Sequence, residues 1–437
     1  MTRSSASAVM TTSTSTSTFT SLPLPADAPA SARAVFKILR RLRHGTLDLQ
    51  LPDGTQLRFG PTAQSGAAAA DEPRAALRLH NWQPCQAALR SGDIGFAESW
   101  IAGHWSSPDL VALLQLFIRN REAVEEIIYG SWWGSLIYRF KHLLNRNTRQ
   151  GSKKNIHAHY DIGNPFYKLW LDETMNYSSA LFEGDFEQPM AQAQLAKVRR
   201  ALDEVGLQSG QRLLEIGCGW GALAETAASE YGAQVRGVTL SSQQLEFAQQ
   251  RLQRAGVAPR SDLRLQDYRD VDDGPFDAIA SIEMFEAVGH EYWGSFFSTL
   301  SGQLKPGGRA CIQTITIRDD LFERYTRGAD FIQQYIFPGG LLPSPSQFRQ
   351  AAARAGLELV NECAFGVDYA ETLRRWRLRF LSQDGPLRKL GFDTRFMRIW
   401  EFYLAYCEAA FATGNTDVVQ FTLRKPIPAG SQLQAPS

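Results

Sequence analysis

Cysteine is scarce in this sequence, whose 437 residues include five: Cys85, Cys218, Cys311, Cys363 and Cys407. No two of them form a C-x-x-C pair, and no cluster of His and Cys has the spacing of zinc ligands. Neither a disulfide framework nor a metal site is therefore expected. We interpret the five residues as reduced thiols of a cytoplasmic protein.

Long apolar runs are also missing. No stretch of about 18 apolar residues occurs, so no transmembrane helix is expected. The first 30 residues are rich in Ser, Thr, Ala and Pro and lack the basic start and apolar middle of a secretory signal. Because such a segment cannot bury enough apolar surface to fold, residues 1–30 are predicted to be a disordered tail.

Charge is balanced over the whole chain but not along it. The net charge is +1, whereas residues 31–155 carry 17 Lys and Arg against 10 Asp and Glu, and residues 156–437 carry 28 against 34. A basic first region beside an acidic second one suits an anionic membrane surface. The alternative is a solvated surface with electrostatic attraction between the two regions. No nucleic-acid partner is expected.

Residues 31–150 are predicted to form a small mixed α+β domain that associates with lipid and membrane. The stretch 34–43 has the pattern of a short amphipathic helix, and Asp53-Gly54 is a turn signal between two alternating segments, as in a β-hairpin. Residues 92–120 are predicted to be mainly helical. None of these elements carries a recognisable chemistry.

The stretch 131–146 has apolar residues at helical spacing, with Trp132 and Trp133 near its start and basic residues among them. A basic amphipathic helix with two tryptophans suits a bilayer interface. The alternative is an ordinary helix that packs on a neighbouring domain. The membrane interpretation predicts peripheral association with the inner face of a membrane.

From about residue 195 the pattern changes to alternating strands and helices. Strands are predicted at five places: 212–216, 234–238, 262–266, 276–281 and 309–315. The alternation is typical of a parallel, doubly wound, Rossmann-like α/β sheet. A late strand at 417–425 has no helix after it and is expected to pair antiparallel. Residues 151–437 are predicted to be one catalytic domain.

A glycine-rich turn follows the first of these strands, in the sequence Glu215-Ile-Gly217-Cys-Gly219. Glycine is needed where the backbone turns tightly and a ligand approaches closely. The G-x-G-x-G spacing differs from that of the dinucleotide motif. Glu215 lies just before the turn, where it could bind an amino group or orient the loop.

Two further positions favour S-adenosylmethionine over a nicotinamide cofactor. The second strand lacks the acid that binds the ribose in dinucleotide folds, and Gln244 on the next helix could take that place. Asp267 and Tyr268 follow the third strand, where a carboxylate could accept the exocyclic amine of adenine and a ring could stack on it. The combination predicts an S-adenosylmethionine site.

The stretch from His159 to Ser178 closely resembles the opening of the catalytic domain in cyclopropane fatty acid synthases and mycolic acid cyclopropane synthases. Further blocks follow in the family's order: LLEIGCGWG, GVTLS, QDYRD, MFEAVG, YIFPGG and FGVDYAETLRRW. The resemblance covers roughly residues 155–425. It implies a class I methyltransferase fold and acyl chains of phospholipids as the substrate.

The resemblance also implies site residues. Cofactor roles fall on seven positions: Tyr177, Ser178, Gly217, Thr239, Leu240, Gln244 and Tyr268. In the family a bicarbonate ion lies beside the transferring methyl group and acts as the base. The holders of this ion that match here are Glu286, Tyr369 and the backbone amide of Ile315.

Two holders of the bicarbonate depart from the family pattern. Ser179 replaces the cysteine of Y-S-C-A, and Gln313 falls on the family's histidine. Both side chains can donate hydrogen bonds to an anion, but neither can carry the positive charge of a histidine. The departures place both the bicarbonate and a cyclopropane product in question.

The resemblance implies an enzyme that transfers a methylene carbon from S-adenosylmethionine to the double bond of an unsaturated phospholipid acyl chain, forming a cyclopropane fatty acid. The two departures favour a fatty acid C-methyltransferase of the same family, with a methyl-branched or methylene product. A nicotinamide dehydrogenase and a non-catalytic lipid-binding protein are both disfavoured, the second by the presence of Glu286 and Tyr369. A homodimer is left open.

Overall fold

The structure is a computed structural model, and it describes Pro25 and residues 28–61, 73–128 and 162–428. The predicted amphipathic helix at 131–146 lies outside these residues, as does nearly all of the predicted tail. The predicted boundary between the two domains, at residues 150 and 151, lies outside them too and stays a prediction.

The N-terminal region contains four helices and a small sheet among its described residues. The helices are α1 (Ala30–Leu39), α2 (Gln83–Ile101), α3 (Leu110–Arg119) and α4 (Arg121–Ile128). The strands are β1 (Thr46–Gln50), β2 (Gln56–Phe59), β3 (Arg74–Leu79) and β4 (Trp105–Ser106), in the order β2-β1-β3-β4. β1 and β2 pair antiparallel, which confirms the predicted hairpin.

The C-terminal region has one large sheet. Its strands are β5 (Arg212–Ile216), β6 (Gln234–Thr239), β7 (Ser261–Leu265), β8 (Phe276–Ile282), β9 (Leu304–Ile317), β10 (Glu358–Ala364) and β11 (Thr416–Arg424). Its helices are α5 (Asn164–Trp170), α6 (Met190–Glu204), α7 (Ala222–Ser229), α8 (Ser242–Arg254), α9 (Trp293–Gln303), α10 (Asp319–Thr326), α11 (Phe331–Tyr335), α12 (Pro345–Arg354), α13 (Gly366–Ser382), α14 (Asp384–Lys389) and α15 (Thr394–Ala412).

The seven strands lie in the order β10-β11-β9-β8-β5-β6-β7. The five strands from β9 to β7 are parallel, and β11 inserts antiparallel between β9 and β10. The doubly wound α/β sheet and the antiparallel late strand are therefore confirmed. β10 was not predicted: it is an edge strand with an almost wholly exposed face, so its sequence lacks the apolar run of a central strand.

The N-terminal region packs against the last long helix of the chain. One apolar cluster contains buried residues of both regions, and α3 lies along α15. The indole Nε1 of Trp100 donates to the carbonyl of Arg398 at 3.3 Å, and the guanidinium of Arg398 donates back to the carbonyl of Trp100 at 2.6 Å. Tyr335 on α11 donates to Glu98 on α2 at 2.7 Å. These contacts bring α2 beside the helices that enclose the second cavity described below.

Candidate active site

A cavity of about 170 Å³ lies at the carboxyl ends of β5, β6 and β8, where parallel α/β sheets bind their ligands. The glycine-rich turn forms one wall, with positive φ at Gly217 (85°), Gly219 (49°) and Gly221 (83°). A Cβ atom on Gly217 would lie 3.0 Å from the side chain of Met284, and one on Gly221 would lie 2.9 Å from Ala248. Both the backbone angles and the space therefore require glycine.

The structure brings all the cofactor residues predicted from the sequence to this one cavity. They are Tyr177, Ser178, Glu215, Gly217, Gly219, Thr239, Leu240, Gln244, Asp267 and Tyr268. They come from four segments of the chain: the loop before α6, the end of β5 with its loop, the end of β6 with its loop and the start of α8, and the loop after β7. Their assembly follows from the parallel sheet, which places all these loops at one edge.

Ser178 and Glu215 share a buried cation. The ammonium group of Lys197, on α6, donates to the hydroxyl of Ser178 at 2.5 Å. Burial lowers the pKa of Lys197 to about 8, while the nearby Glu283, Asp172 and Glu215 act in the opposite direction. Burial also raises the pKa of Glu215 to about 8, and its Oε2 has no hydrogen-bond partner. A cationic or amino-bearing ligand beside this unpartnered oxygen would favour the ionised form of Glu215.

The residues predicted to hold adenine and ribose already contact neighbours. Both carboxylate oxygens of Asp267 accept from the guanidinium of Arg269, at 2.5 and 2.9 Å. The Arg269 guanidinium carbon lies 5.7 Å from the centre of the Tyr268 ring. Gln244 accepts from Thr239 at 3.2 Å. The backbone amide of Arg269 also donates to Asp267, at 3.0 Å, so this carboxylate is held in a fixed position at the edge of the cavity.

The segment after Ile162 closes the cofactor cavity from the other side. Asn164, at the start of α5, accepts from the indole of Trp220 in the glycine-rich turn at 2.7 Å. The same segment carries Tyr177, whose hydroxyl lies 2.8 Å from that of Tyr403 on α15. Tyr177 thus stands between the cofactor cavity and the helices of the C-terminal region.

A second cavity, of about 260 Å³, adjoins the first, and Tyr177, Glu283 and Ala287 line both. Its walls are largely apolar and aromatic, and its lining comes mainly from α10, α11, α13 and α15 and the loops between them. Asp93 and Arg121 of the N-terminal region also line it. Such a cavity suits a long apolar chain whose reactive part lies beside the first cavity.

Glu283, which the sequence analysis missed, stands at the junction. It follows β8 directly, and its carboxylate accepts three hydrogen bonds: from the backbone amide of Ser179 at 2.8 Å, from the amide group of Gln313 at 2.7 Å and from the hydroxyl of Tyr369 at 2.6 Å. Three of the residues that the family resemblance assigns to the bicarbonate thus surround this carboxylate. The signal in the sequence that could have identified Glu283 is an acidic residue directly after a central strand.

The backbone of Glu283 is strained, with φ of 48°, a region that residues other than glycine seldom occupy. Met175, which lines the cofactor cavity, has φ of 53°. Such conformations cost about 1–3 kcal/mol and tend to lie at functional sites. The surrounding hydrogen bonds hold Glu283 in this conformation.

Glu286 lies on the second cavity and uses different partners. Its Oε1 accepts from the amide of Ile315 at 2.5 Å and from the hydroxyl of Thr314 at 3.0 Å, while its buried Oε2 has no partner. Of the five predicted catalytic residues, Glu286, Tyr369 and Ile315 line this cavity. Ser179 and Gln313 are fully buried behind Glu283.

The two glutamates differ in how well their anions are stabilised. Burial, followed by the charge of Glu283, raises the pKa of Glu286 to about 8. Burial also raises the pKa of Glu283, but Tyr369, Ser179, Lys197 and Gln313 all act against that rise. Because more donors and a cation face Glu283, we expect its carboxyl to ionise first and Glu286 to stay protonated near neutral pH.

In the described ranges no group of three or more His, Cys, Asp and Glu is arranged to hold a metal ion. Over the same ranges, no helix is long and apolar enough to cross a membrane. The five cysteines form no disulfide.

Comparisons with known proteins agree with this geometry. The family model described as mycolic acid cyclopropane synthetase matches residues 147–421. A tuberculostearic acid methyltransferase of Mycobacterium tuberculosis is 40% identical over 407 residues, covering 90% of this chain and 91% of the relative. A cyclopropane-fatty-acyl-phospholipid synthase of Escherichia coli is 31% identical over 386 residues, covering 88% and 97%.

A solved structure adds the fold and a ligand. The mycolic acid cyclopropane synthase complexed with SAH and CTAB has a TM-score of 0.59 and 34% identity, and the match covers 62% of this chain and 98% of that chain. The class I methyltransferase sheet is therefore common to both.

Proposed function

The chain belongs to the mycolic acid cyclopropane synthetase family, and we propose that it methylates the double bond of an unsaturated fatty acyl chain of a phospholipid, giving a methyl-branched or methylene product. It is an S-adenosylmethionine-dependent methyltransferase. The choice of product rests on one observation: Ser179, Gln313 and Tyr369 all donate hydrogen bonds to the carboxylate of Glu283.

The residues of the first cavity fit the cofactor. Gly217 has φ of 85° and no side chain, so a ligand can lie against the backbone of the turn. Ser178 and the unpartnered Oε2 of Glu215 offer polar contacts to an amino acid moiety, and Gln244 and Asp267 are polar residues of the wall where a nucleoside would lie. When bound, S-adenosylmethionine supplies an electrophilic methyl group that an alkene can attack.

The second cavity fits the acyl chain. Its largely apolar lining excludes water, and aromatic rings such as those of Tyr177, Phe337 and Tyr403 face it. Attack by the alkene leaves a positive charge on the acyl chain, and the faces of aromatic rings can stabilise a nearby cation. Tyr177 and Glu283 line both cavities, so both can act where the two substrates meet.

We assign the role of base to Glu283. Its Oε1 accepts from Ser179 and Gln313, while its Oε2 accepts only from Tyr369 and keeps an acceptor position for a proton from the acyl cation. A carboxylate already held by these three donors leaves no need for a bicarbonate ion. Glu286, with its raised pKa, serves as a neutral neighbour that hydrogen-bonds to Ile315.

The product follows from which proton leaves. Loss from the added carbon at once closes a cyclopropane, whereas a hydride shift along the chain before the loss gives a methylene group. Loss from a neighbouring chain carbon leaves a methyl branch. A base fixed to the end of β8 cannot move with the cation as a small ion can, and the relative that is 40% identical is named for a methyl-branched product. Both considerations support the branched or methylene product.

Cyclopropane formation is the second candidate function. The Escherichia coli relative is named for that product, and Glu286, the residue that the resemblance assigns to bicarbonate, points its unpartnered Oε2 into a buried space. In this alternative the ion would bind beside Glu286 and take the proton from the added carbon.

Membrane attachment is a further part of the proposal. The excess of basic residues over 31–155 and the basic amphipathic pattern at 131–146 support binding to an anionic lipid surface, from which the acyl chain would enter. We propose a cytoplasmic enzyme at the inner face of the membrane. The homodimer stays a prediction.

The deciding experiment is mass spectrometry of lipids from cells that express the protein and are fed methionine with a trideuterated methyl group. A methyl branch formed by loss of a chain proton keeps all three labels. Cyclopropane and methylene products keep two, and proton NMR separates them because only the methylene group has vinylic protons. A cyclopropane as the sole product, with activity that depends on bicarbonate, would replace the first candidate by the second.

A further inference from the structure

A row of three polar side chains leads from the surface of α6 to the carboxylate of Glu283. The guanidinium of Arg200 donates to Oε1 of Gln420 at 2.8 Å. The amide nitrogen of Gln420 donates to Oε1 of Gln313 at 3.0 Å, and the amide nitrogen of Gln313 donates to Glu283 at 2.7 Å. We call the row Arg200–Gln420–Gln313 the donor relay.

The direction of these bonds is determined from both ends. Arginine can only donate, so the end of Gln420 that faces Arg200 must be its carbonyl oxygen. The other end of Gln420 faces the backbone carbonyl of Lys197 at 3.1 Å, which can only accept. The amide nitrogen of Gln420 therefore faces Gln313, and Gln313 must turn its own oxygen toward Gln420 and its nitrogen toward Glu283.

The sheet holds the two glutamines in place. Gln313 on β9 and Gln420 on β11 are directly opposite each other in the antiparallel ladder, and both are fully buried. A glutamine amide has two orientations related by half a turn, and the reversed one would present the oxygen of Gln313 to Glu283. Two acceptors would then face each other in a space without water, which is unfavourable.

We propose that Arg200 and Gln420 are positioning residues, whose hydrogen bonds force Gln313 to act as a donor to Glu283. The inference rests on the proposed function, because it concerns the base of that reaction. Neither residue lines either cavity, so neither touches the cofactor or the acyl chain.

The orientation of Gln313 affects the pKa of Glu283 through electrostatics. Besides Gln313, the groups that face Glu283 are the amide of Ser179, the hydroxyl of Tyr369, the ammonium of Lys197 and the carboxyl of Glu286. Reversal of Gln313 would exchange a donor for an acceptor, while the other groups stay the same. The pKa of Glu283 would then rise, because its anion would lose one hydrogen bond and gain a repulsion.

The test compares Gln420→Glu with Gln420→Met. The first substitution keeps the size of the side chain and its contact with Arg200, but the second carboxylate oxygen could only accept. It would lose the hydrogen bond to the carbonyl of Lys197, and Gln313 would turn its nitrogen toward it and away from Glu283. The thioether introduced by the second substitution offers neither a donor nor a strong acceptor and leaves Gln313 free to keep its donor toward Glu283. We therefore expect the more conservative change to be the more harmful one, whereas a merely structural role predicts the reverse order.

In Q420E we expect kcat to fall about tenfold, with KM for both substrates within about twofold of the parent. The acid limb of the pH–rate profile should move up by about one pH unit, because a higher pH is needed to ionise the base. The kcat of Q420M should lie between that of Q420E and that of the parent. Arg199→Met, on the same helix but exposed and paired with Glu230, is the matched control and should match the parent.

The proposal is overturned if Q420M loses at least as much activity as Q420E, or if the acid limb of Q420E does not move. If Q420E does not fold, Arg200→Met takes its place: a smaller upward movement of the acid limb is expected, and an acid limb in R200M equal to that of the parent would refute the relay.

One readout does not depend on lipid turnover. The infrared carboxylate band of Glu283, assigned by its loss in Glu283→Gln, should titrate at higher pH in Q420E than in the parent. If no lipid is methylated at all, the proposed function fails, whereas this titration still decides the donor relay.

Discussion

The hydroxyl of Tyr369 on α13 donates to the carboxylate of Glu283 at the end of β8 across 2.6 Å. The bond joins two residues 86 positions apart and completes a set of three donors around one buried carboxylate. All three donors belong to residues that the family resemblance assigns to a bicarbonate ion. Under the proposed function the base is this carboxylate and not a bound ion, and the assignment can be tested by substitution.

Replacement of Glu283 by Gln should lower turnover by at least about a hundredfold, because the substitution removes the base but keeps the size. Affinity for S-adenosylmethionine, measured by calorimetry, should change little, since the glycine-rich turn is untouched. Glu286→Gln is the matched comparison. Because Glu286 is expected to be neutral near pH 7, E286Q should lose less turnover than E283Q. A larger loss in E286Q would instead indicate that Glu286 is the base.

Replacement of Glu283 by Gly should create a variant that bicarbonate or formate can rescue. The change removes the carboxylate, leaves the donors of Ser179, Gln313 and Tyr369 in place, and relieves the strained φ of 48°. We expect activity of the parent to be independent of bicarbonate and that of E283G to rise at least about tenfold when millimolar bicarbonate is added. A parent stimulated by bicarbonate together with an E283G variant that is not would contradict the assignment.

Gly217→Val should abolish binding of S-adenosylmethionine, with affinity reduced by at least about a hundredfold. The new side chain would meet Met284 at 3.0 Å and would require valine at φ of 85°. Gly184→Val is a matched control: Gly184 has the same φ of 85° with no atom within 4 Å and lies outside both cavities. Equal cofactor affinity in folded G217V and G184V would show that the turn does not take part in cofactor binding.

Stability should depend on pH through Glu286. Its pKa is raised from 4.5 in the unfolded chain to about 8 in the folded protein, so between these values the folded state holds a proton that the unfolded state has released. The contribution of this group is therefore fully present below about pH 4.5 and is lost as the pH rises to about 8. In E286Q the free energy of unfolding, from urea titrations, should fall less steeply over this range, by up to about 1.4 kcal/mol per pH unit.

The membrane interpretation of 131–146 predicts that Trp132→Ala with Trp133→Ala weakens sedimentation with anionic vesicles by about tenfold. Cofactor affinity should be unchanged. The double change to Phe keeps the aromatic rings and is the control, with binding close to that of the parent. Equal sedimentation of the Ala variant and the parent would favour the alternative of a helix that packs on a neighbouring domain.

The sequence by itself determined the parallel sheet and the cofactor cavity, because both depend on short-range patterns. Alternating apolar segments predict the strands, and the turn at Gly217 with Gln244, Asp267 and Tyr268 at the ends of successive strands predicts one shared edge. The resemblance assigned Tyr369 and Glu286 to the catalytic centre, and the structure places both on the second cavity. These positions needed no knowledge of side-chain contacts.

Only the tertiary structure decided which acid the donors surround. Glu283 and Glu286 are three residues apart after β8, and the family resemblance singled out Glu286, so the chain alone did not show which carboxylate the donors meet. The partners of Glu283 come from residues 179, 313 and 369, and the orientation of Gln313 depends in turn on Gln420 and Arg200. Burial and the direction of a hydrogen bond are properties of segments that meet in space, and for this reason they become visible only once the chain is folded.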